Sequence, residues 1–79
     1  MDACQYLIIV EKITYQNPEN GWAVLRVSDT EKNSSFVATG AIHAVEEGEH
    51  YQIMGKWVSH TTYGQQFNFD RIVAMRPSN

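Results

Sequence analysis

Between Trp22 and Ser28 every second position is aliphatic and uncharged: Ala23, Leu25 and Val27 fall on one face of an extended chain, with Trp22, Val24 and Arg26 on the other. A period of two sends alternate side chains to opposite faces of an extended strand. Almost nowhere does the chain show the spacing of three and four residues that marks an amphipathic helix, so it reads as all β. With 79 residues it has room for one domain, near the size at which a single apolar core only just suffices without disulfides, metals or partners.

Five strands are expected. The first spans about Gln5 to Tyr15 and is rich in β-branched and aromatic residues. Its alternation slips at Glu11-Lys12, because Val10 and Ile13 both look core-facing although they are three apart; an extra residue at that point predicts a β-bulge that bends the strand. The dense turn signal Asn17-Pro18-Glu19-Asn20-Gly21 then leads into the second strand, Trp22 to Ser28. The third strand runs from Phe36 to Gly40, the fourth from about Tyr51 to Val58. The fifth, Gln65 to Met75, places Phe67, Phe69, Arg71 and Val73 on one face and Asn68, Asp70 and Ile72 on the other. Ala41 to Glu47 forms one helical turn or a loop, closed by Gly48. Five short strands, the first long and bent, with a longer connection between the third and fourth, fit a small Greek-key barrel of the OB type. An SH3-like barrel is the alternative.

Several function classes recede on composition alone. One cysteine, Cys4, cannot form an internal disulfide, which suits a reducing compartment, and the apolar run Tyr6 to Val10 is too short to span a membrane. A cytoplasmic protein without membrane association is expected. No glycine-rich phosphate loop and no paired metal-ligand spacing occur, and His43, His50 and His60 lie on separate elements. An independent enzyme would need at least two of these histidines and a carboxylate to converge in one cleft. No catalytic, metal or cofactor residues are therefore assigned.

Binding fares better. Nine aromatic residues in a β domain with cations set into its strands suggest a surface on which bases stack while Lys or Arg track phosphates. The rings available are Tyr6, Tyr15, Trp22, Trp57, Tyr63 and Phe67, half or more of which a core this small requires. Trp22 and Tyr63 are the best stacking pair, and Arg26, Lys56 and Arg71 are the phosphate partners. The hairpin Gly55-Lys56-Trp57-Val58-Ser59-His60-Thr61-Thr62-Tyr63-Gly64-Gln65-Gln66-Phe67 carries His60 and Tyr63 at its tip. The candidate DNA-binding residues are thus Trp22, Arg26, Lys56, His60, Tyr63 and Arg71. The net charge of −3 predicts weak binding, since non-specific affinity comes mainly from neutralised phosphates. One basic face is still open to the chain, because Glu46, Glu47 and Glu49 cluster apart from the strand cations. A protein-docking module without direct nucleic-acid contact is the second reading.

Two ordered segments, Asn17 to Val27 and Gly55 to Phe67, resemble the N-terminal OB-like domain of bacterial RecD-like ATP-dependent DNA helicases, related to the exodeoxyribonuclease V alpha subunit. The shared pattern is an Asn-Gly-aromatic turn into Val-Leu-Arg-Val, a Gly-Glu pair before the fourth strand, and a Gly-x-Trp strand followed by Tyr-Gly-x-Gln-Phe. It covers residues 5 to 75; Pro18 departs from it, standing in a loop where Glu is common. The resemblance implies one domain, residues 1–79, of a longer helicase, with 76–79 opening a linker. It further implies that the parent unwinds DNA with ATP and magnesium in recombinational repair, and that its partners are single-stranded DNA, the rest of the helicase chain and subunits of a nuclease complex. The matching positions themselves look structural: Gly21 and Gly64 for turn geometry, Leu25 and Val27 for the core, Trp57 and Phe67 for packing.

Overall fold

The computed structural model describes residues 4–42, 44–62 and 64–75, apart from the side chain of His60. Its five strands are β1 (Cys4–Gln16), β2 (Trp22–Asp29), β3 (Ser34–Ala41), β4 (His50–His60) and β5 (Gly64–Ala74). They close into a barrel in the order β1-β2-β3-β5-β4. All neighbours are antiparallel except β3 and β5, which run parallel and meet only at Ala38–Phe67 and Thr39–Asn68. This is the OB arrangement, and the SH3-like alternative falls away. No helix occurs among the described residues: after β3 the connection runs as a loop to the turn at Glu47-Gly48.

Local chemistry sets each turn. In the β1–β2 turn the Asn17 carboxamide oxygen accepts the Glu19 amide and the Asn20 oxygen accepts the Trp22 amide, while Gly21 adopts a φ of 77° that a side chain would resist. In the β2–β3 turn the buried Asp29 carboxylate accepts the amides of Glu31 and Lys32. Its position at the end of β2 satisfies donors that would otherwise be left over.

β1 is bent twice. Its pairing with β2 skips a residue between Val10 and Lys12, as the three-residue spacing of Val10 and Ile13 predicts, and again between Ile13 and Tyr15. The inward positions of β1 are consequently Tyr6, Ile8 and Val10, then Ile13, then Gln16. β1 pairs with β4 only up to Ile9–His50; beyond that the loop before β4 takes over the edge. The Val10 amide donates to the Glu49 carbonyl, the Val10 carbonyl accepts from Gly48, and the Glu47 carboxylate accepts the Ile13 amide at 2.9 Å. The acidic cluster read from the sequence thus includes a residue that caps the bent strand.

Ile8, Val10, Ala23, Leu25, Val27, Ala38, Ile53 and Phe67 are fully buried. Each of the larger ones contributes roughly 1.5–3 kcal/mol by leaving water. Near the β4–β5 turn the core continues into four rings, Tyr6, Phe36, Trp57 and Phe67, with centroids 5.1–6.1 Å apart and planes steeply inclined. The Trp57 indole N–H donates to the Tyr6 hydroxyl at 3.0 Å, so the polar atoms of both rings are partnered inside the cluster.

β5 corrects one expectation. Gly55 pairs with Phe69 and Met54 with Arg71, so Asp70 is an extra residue opposite the β4 step. The bulge reverses the alternation: Phe67 and Phe69 face the core, then Ile72 packs against it, while Arg71 and Val73 turn outward. Phe69 is seated between two glycines. A Cβ on Gly40 would lie 2.6 Å from the Phe69 ring, and one on Gly55 would lie 2.1 Å from the Asn68 carbonyl oxygen.

Candidate nucleic-acid interface

Alternation along β2 buries Ala23, Leu25 and Val27 and leaves Trp22, Val24 and Arg26 on the outside. Register fixes their neighbours: Tyr15 of β1 lies beside Val24, Lys12 beside Arg26, and Val37 of β3 on the other side of Arg26. The parallel step from β3 to β5 then brings Gln66 next to Val37, one residue before the Ala38–Phe67 pair. Thr14, Tyr15, Val24, Arg26, Val37 and Gln66 together line an open groove of about 510 Å³. Tyr15 is 51% exposed and Trp22, two residues before Val24, is 40% exposed. Tyr15 therefore lines the groove together with two valines, and Trp22 stands exposed on the same face of β2.

The second bulge of β1 is what presents Tyr15. Because Thr14 is the extra residue, the tyrosine pairs with outward-facing Val24 while Gln16 pairs with inward-facing Ala23. The Gln16 amide turns inward and donates to the Ile42 carbonyl. Without the bulge the tyrosine would change sides.

Arg26 is already engaged. Its Nε lies 3.3 Å from Glu11 Oε1, and the second oxygen of that carboxylate accepts the Ser35 hydroxyl at 3.2 Å. The candidate cations do not make one basic face. Lys12 and Arg26 lie on the outside of β1 and β2, whereas Lys56 and Arg71 lie on the outside of β4 and β5. β3 stands between β2 and β5, and β1, which carries Lys12, meets β4 only up to Ile9–His50.

Of the six candidate residues, then, the fold brings Trp22 and Arg26 together and sets Lys56 and Arg71 elsewhere. Tyr63, the side chain of His60 and residues 76–79 lie outside the described residues. Among the remaining rings Tyr6, Trp57 and Phe67 belong to the packed cluster, while Tyr15 is free. The Lys56 row is nevertheless continuous with the groove: Val24, Thr39, Asn68 and Lys56 follow one another around the barrel, and the Asn68 amide donates to the Thr39 hydroxyl. Sequence reasoning passed over Glu11, Val37 and Gln66 as binding residues. Val37 was accessible in principle, since a strand starting one or two residues earlier puts it outward beside Arg26.

His50 and His60 occupy opposite ends of the eleven-residue β4, roughly 30 Å apart at strand rise, so these two do not converge. His43 lies outside the described residues.

A family model described as the OB-fold domain of the ATP-dependent DNA helicase YrrC matches residues 6–77. No curated protein and no solved structure matches the chain.

Proposed function

Since the chain belongs to the family of OB-fold domains of the ATP-dependent DNA helicase YrrC, we propose that it is an accessory module of a RecD-like cytoplasmic helicase and engages single-stranded DNA during unwinding and recombinational repair. The parent motor, not this domain, would use ATP and magnesium. The observation that carries the reading is the pair of free rings, Tyr15 and Trp22, along the outer face of β1 and β2. That face lies on the side of the barrel that OB folds use for oligonucleotides, and base–aromatic stacking there needs no sequence match. Arg26 is paired and Lys56 and Arg71 lie elsewhere, so few phosphates are neutralised and the contact is weak. A weak contact suffices when the strand is already held by a tethered motor at high effective concentration.

Anisotropy titration of a labelled oligothymidylate at low salt tests this. Binding is expected to be weak with a shallow salt dependence, and Tyr15→Ala and Trp22→Ala are each expected to weaken it about fivefold or more, the loss of one stacked base. Unchanged affinity in both variants refutes the stacking face.

A second reading, docking against another domain or a subunit of a nuclease complex, is favoured by the aliphatic lining of the groove, Val24 and Val37, and by the neutralised Arg26. Under that reading the same substitutions leave oligonucleotide binding unchanged and weaken association with the remainder of the helicase.

A further inference from the structure

The carboxylate of Glu11 reaches across the face just described. Glu11 is the unpaired residue of the first β1 bulge, so it and Lys12 both stand against the single β2 position of Arg26. From there one oxygen meets Arg26 on β2 and the other accepts from Ser35 on β3. A side chain from β1 thereby spans three strands and closes the end of the groove nearest the β2–β3 turn. It is 37% exposed and Arg26 62%. The pair stands in water at the surface, where an incoming anion competes for the same guanidinium.

We propose that Glu11 guards this face against phosphate: it occupies Arg26, so the groove admits the rings of unstacked bases but gives little hold to the backbone. The proposal rests on the single-strand reading above and adds its specificity. A strand whose bases are splayed out finds Tyr15 and Trp22, whereas duplex DNA, which offers mainly phosphates, meets a carboxylate beside the only described cation lining the groove. The energy of an exposed ion pair is small, so the guard tunes preference rather than blocking entry, and it yields to a strand held in place by the motor.

Four variants of this chain test the guard by anisotropy with a single-stranded oligothymidylate and a duplex of equal length, across a salt series. Glu11→Gln is expected to tighten the duplex about fivefold and the single strand about twofold or less, narrowing the preference, and to steepen the slope of log affinity against log salt by about 0.9 on the duplex and 0.7 on the single strand, one phosphate each. Arg26→Gln alone is expected to weaken binding only slightly, since it bares the Glu11 carboxylate without removing a phosphate contact, and in the Glu11→Gln background to abolish the whole gain. Glu46→Gln, an equal change of net charge on the loop before β4, is expected to leave the slope unchanged. An unaltered Glu11→Gln slope, or a loss in Arg26→Gln as large with Glu11 present as without it, overturns the guard. Tyr15→Ala separates the two failures. If it weakens binding while Glu11→Gln changes nothing, the guard alone falls; if no variant binds at all, the single-strand reading falls with it.

Discussion

Replacing Gly55 with Ala adds one methyl group where β4 and β5 approach most closely on a glycine. The new carbon would lie 2.1 Å from the Asn68 carbonyl oxygen, 2.7 Å from the Phe69 Cα and 2.9 Å from the Asn68 carbonyl carbon. Carbon contacts settle near 3.5–4.0 Å, so the overlap exceeds 1 Å and falls wholly on backbone. No rotamer change relieves it. β4 and β5 must part where Asp70 bulges, and Phe69, 3% exposed, must shift with them. Overpacking of a core typically costs about 1–3 kcal/mol; with backbone as the obstacle, the upper end, about 3 kcal/mol, is the expected value. A chain this long has about 4–12 kcal/mol of stability in all. The loss should lower Tm by about 12–24 °C, read by thermal circular dichroism and by urea titration with an unchanged m-value. Gly48→Ala supplies the comparison: its φ is 88° but nothing lies within 4 Å of the added carbon, so only the left-handed backbone is penalised, by about 1 kcal/mol. If Gly55→Ala costs no more than Gly48→Ala, close approach is not what requires glycine at position 55.

Other consequences are smaller or more local. Phe67→Ala removes a fully buried ring that touches three other aromatics and is expected to cost about 3–5 kcal/mol, read as a strongly lowered midpoint in a urea titration. Tyr6→Phe keeps the ring and deletes the acceptor of the Trp57 indole; a loss of about 1 kcal/mol is expected in chemical denaturation, with a shift in tryptophan emission that Trp22→Phe does not abolish. Glu47→Gln weakens the cap on the Ile13 amide and is expected to cost about 1 kcal/mol or less, with faster hydrogen exchange confined to the second half of β1.

The barrel was legible because stretches of its strands alternate with a period of two, as β2 does throughout, and its turns carry Asn, Gly and Pro where the backbone requires them. The first bulge of β1 could be read as well, since Val10 and Ile13 are both apolar and a β-strand cannot face both inward without an extra residue. The second could not: Thr14, Tyr15 and Gln16 are all amphipathic, and their order is compatible with either face. In β5 the run Phe67, Phe69, Arg71, Val73 imitates unbroken alternation, and only the cation in an apolar series hints that the phase has changed. The site was half legible for a related reason. Trp22 and Arg26 share a strand, so alternation alone places them together. Glu11, Val37 and Gln66 join them from three other strands, through a bulge and a parallel step that local patterning does not encode.

The short parallel junction between β3 and β5 also gives the barrel a seam. Every other pair of neighbouring strands is laced over six or more residues, whereas this one is joined only at Ala38–Phe67 and Thr39–Asn68, with one side-chain bond from Asn68 to Thr39 beside it. Val37 and Gln66 stand on its two lips, so the groove lies directly over the place where the barrel is easiest to unlace. Anything seated between them acts as a stitch: by linkage, what binds the closed form must also hold it shut. Whatever the groove binds, occupancy and integrity of the fold are thereby one equilibrium, and slow amides along the seam would report an occupied groove.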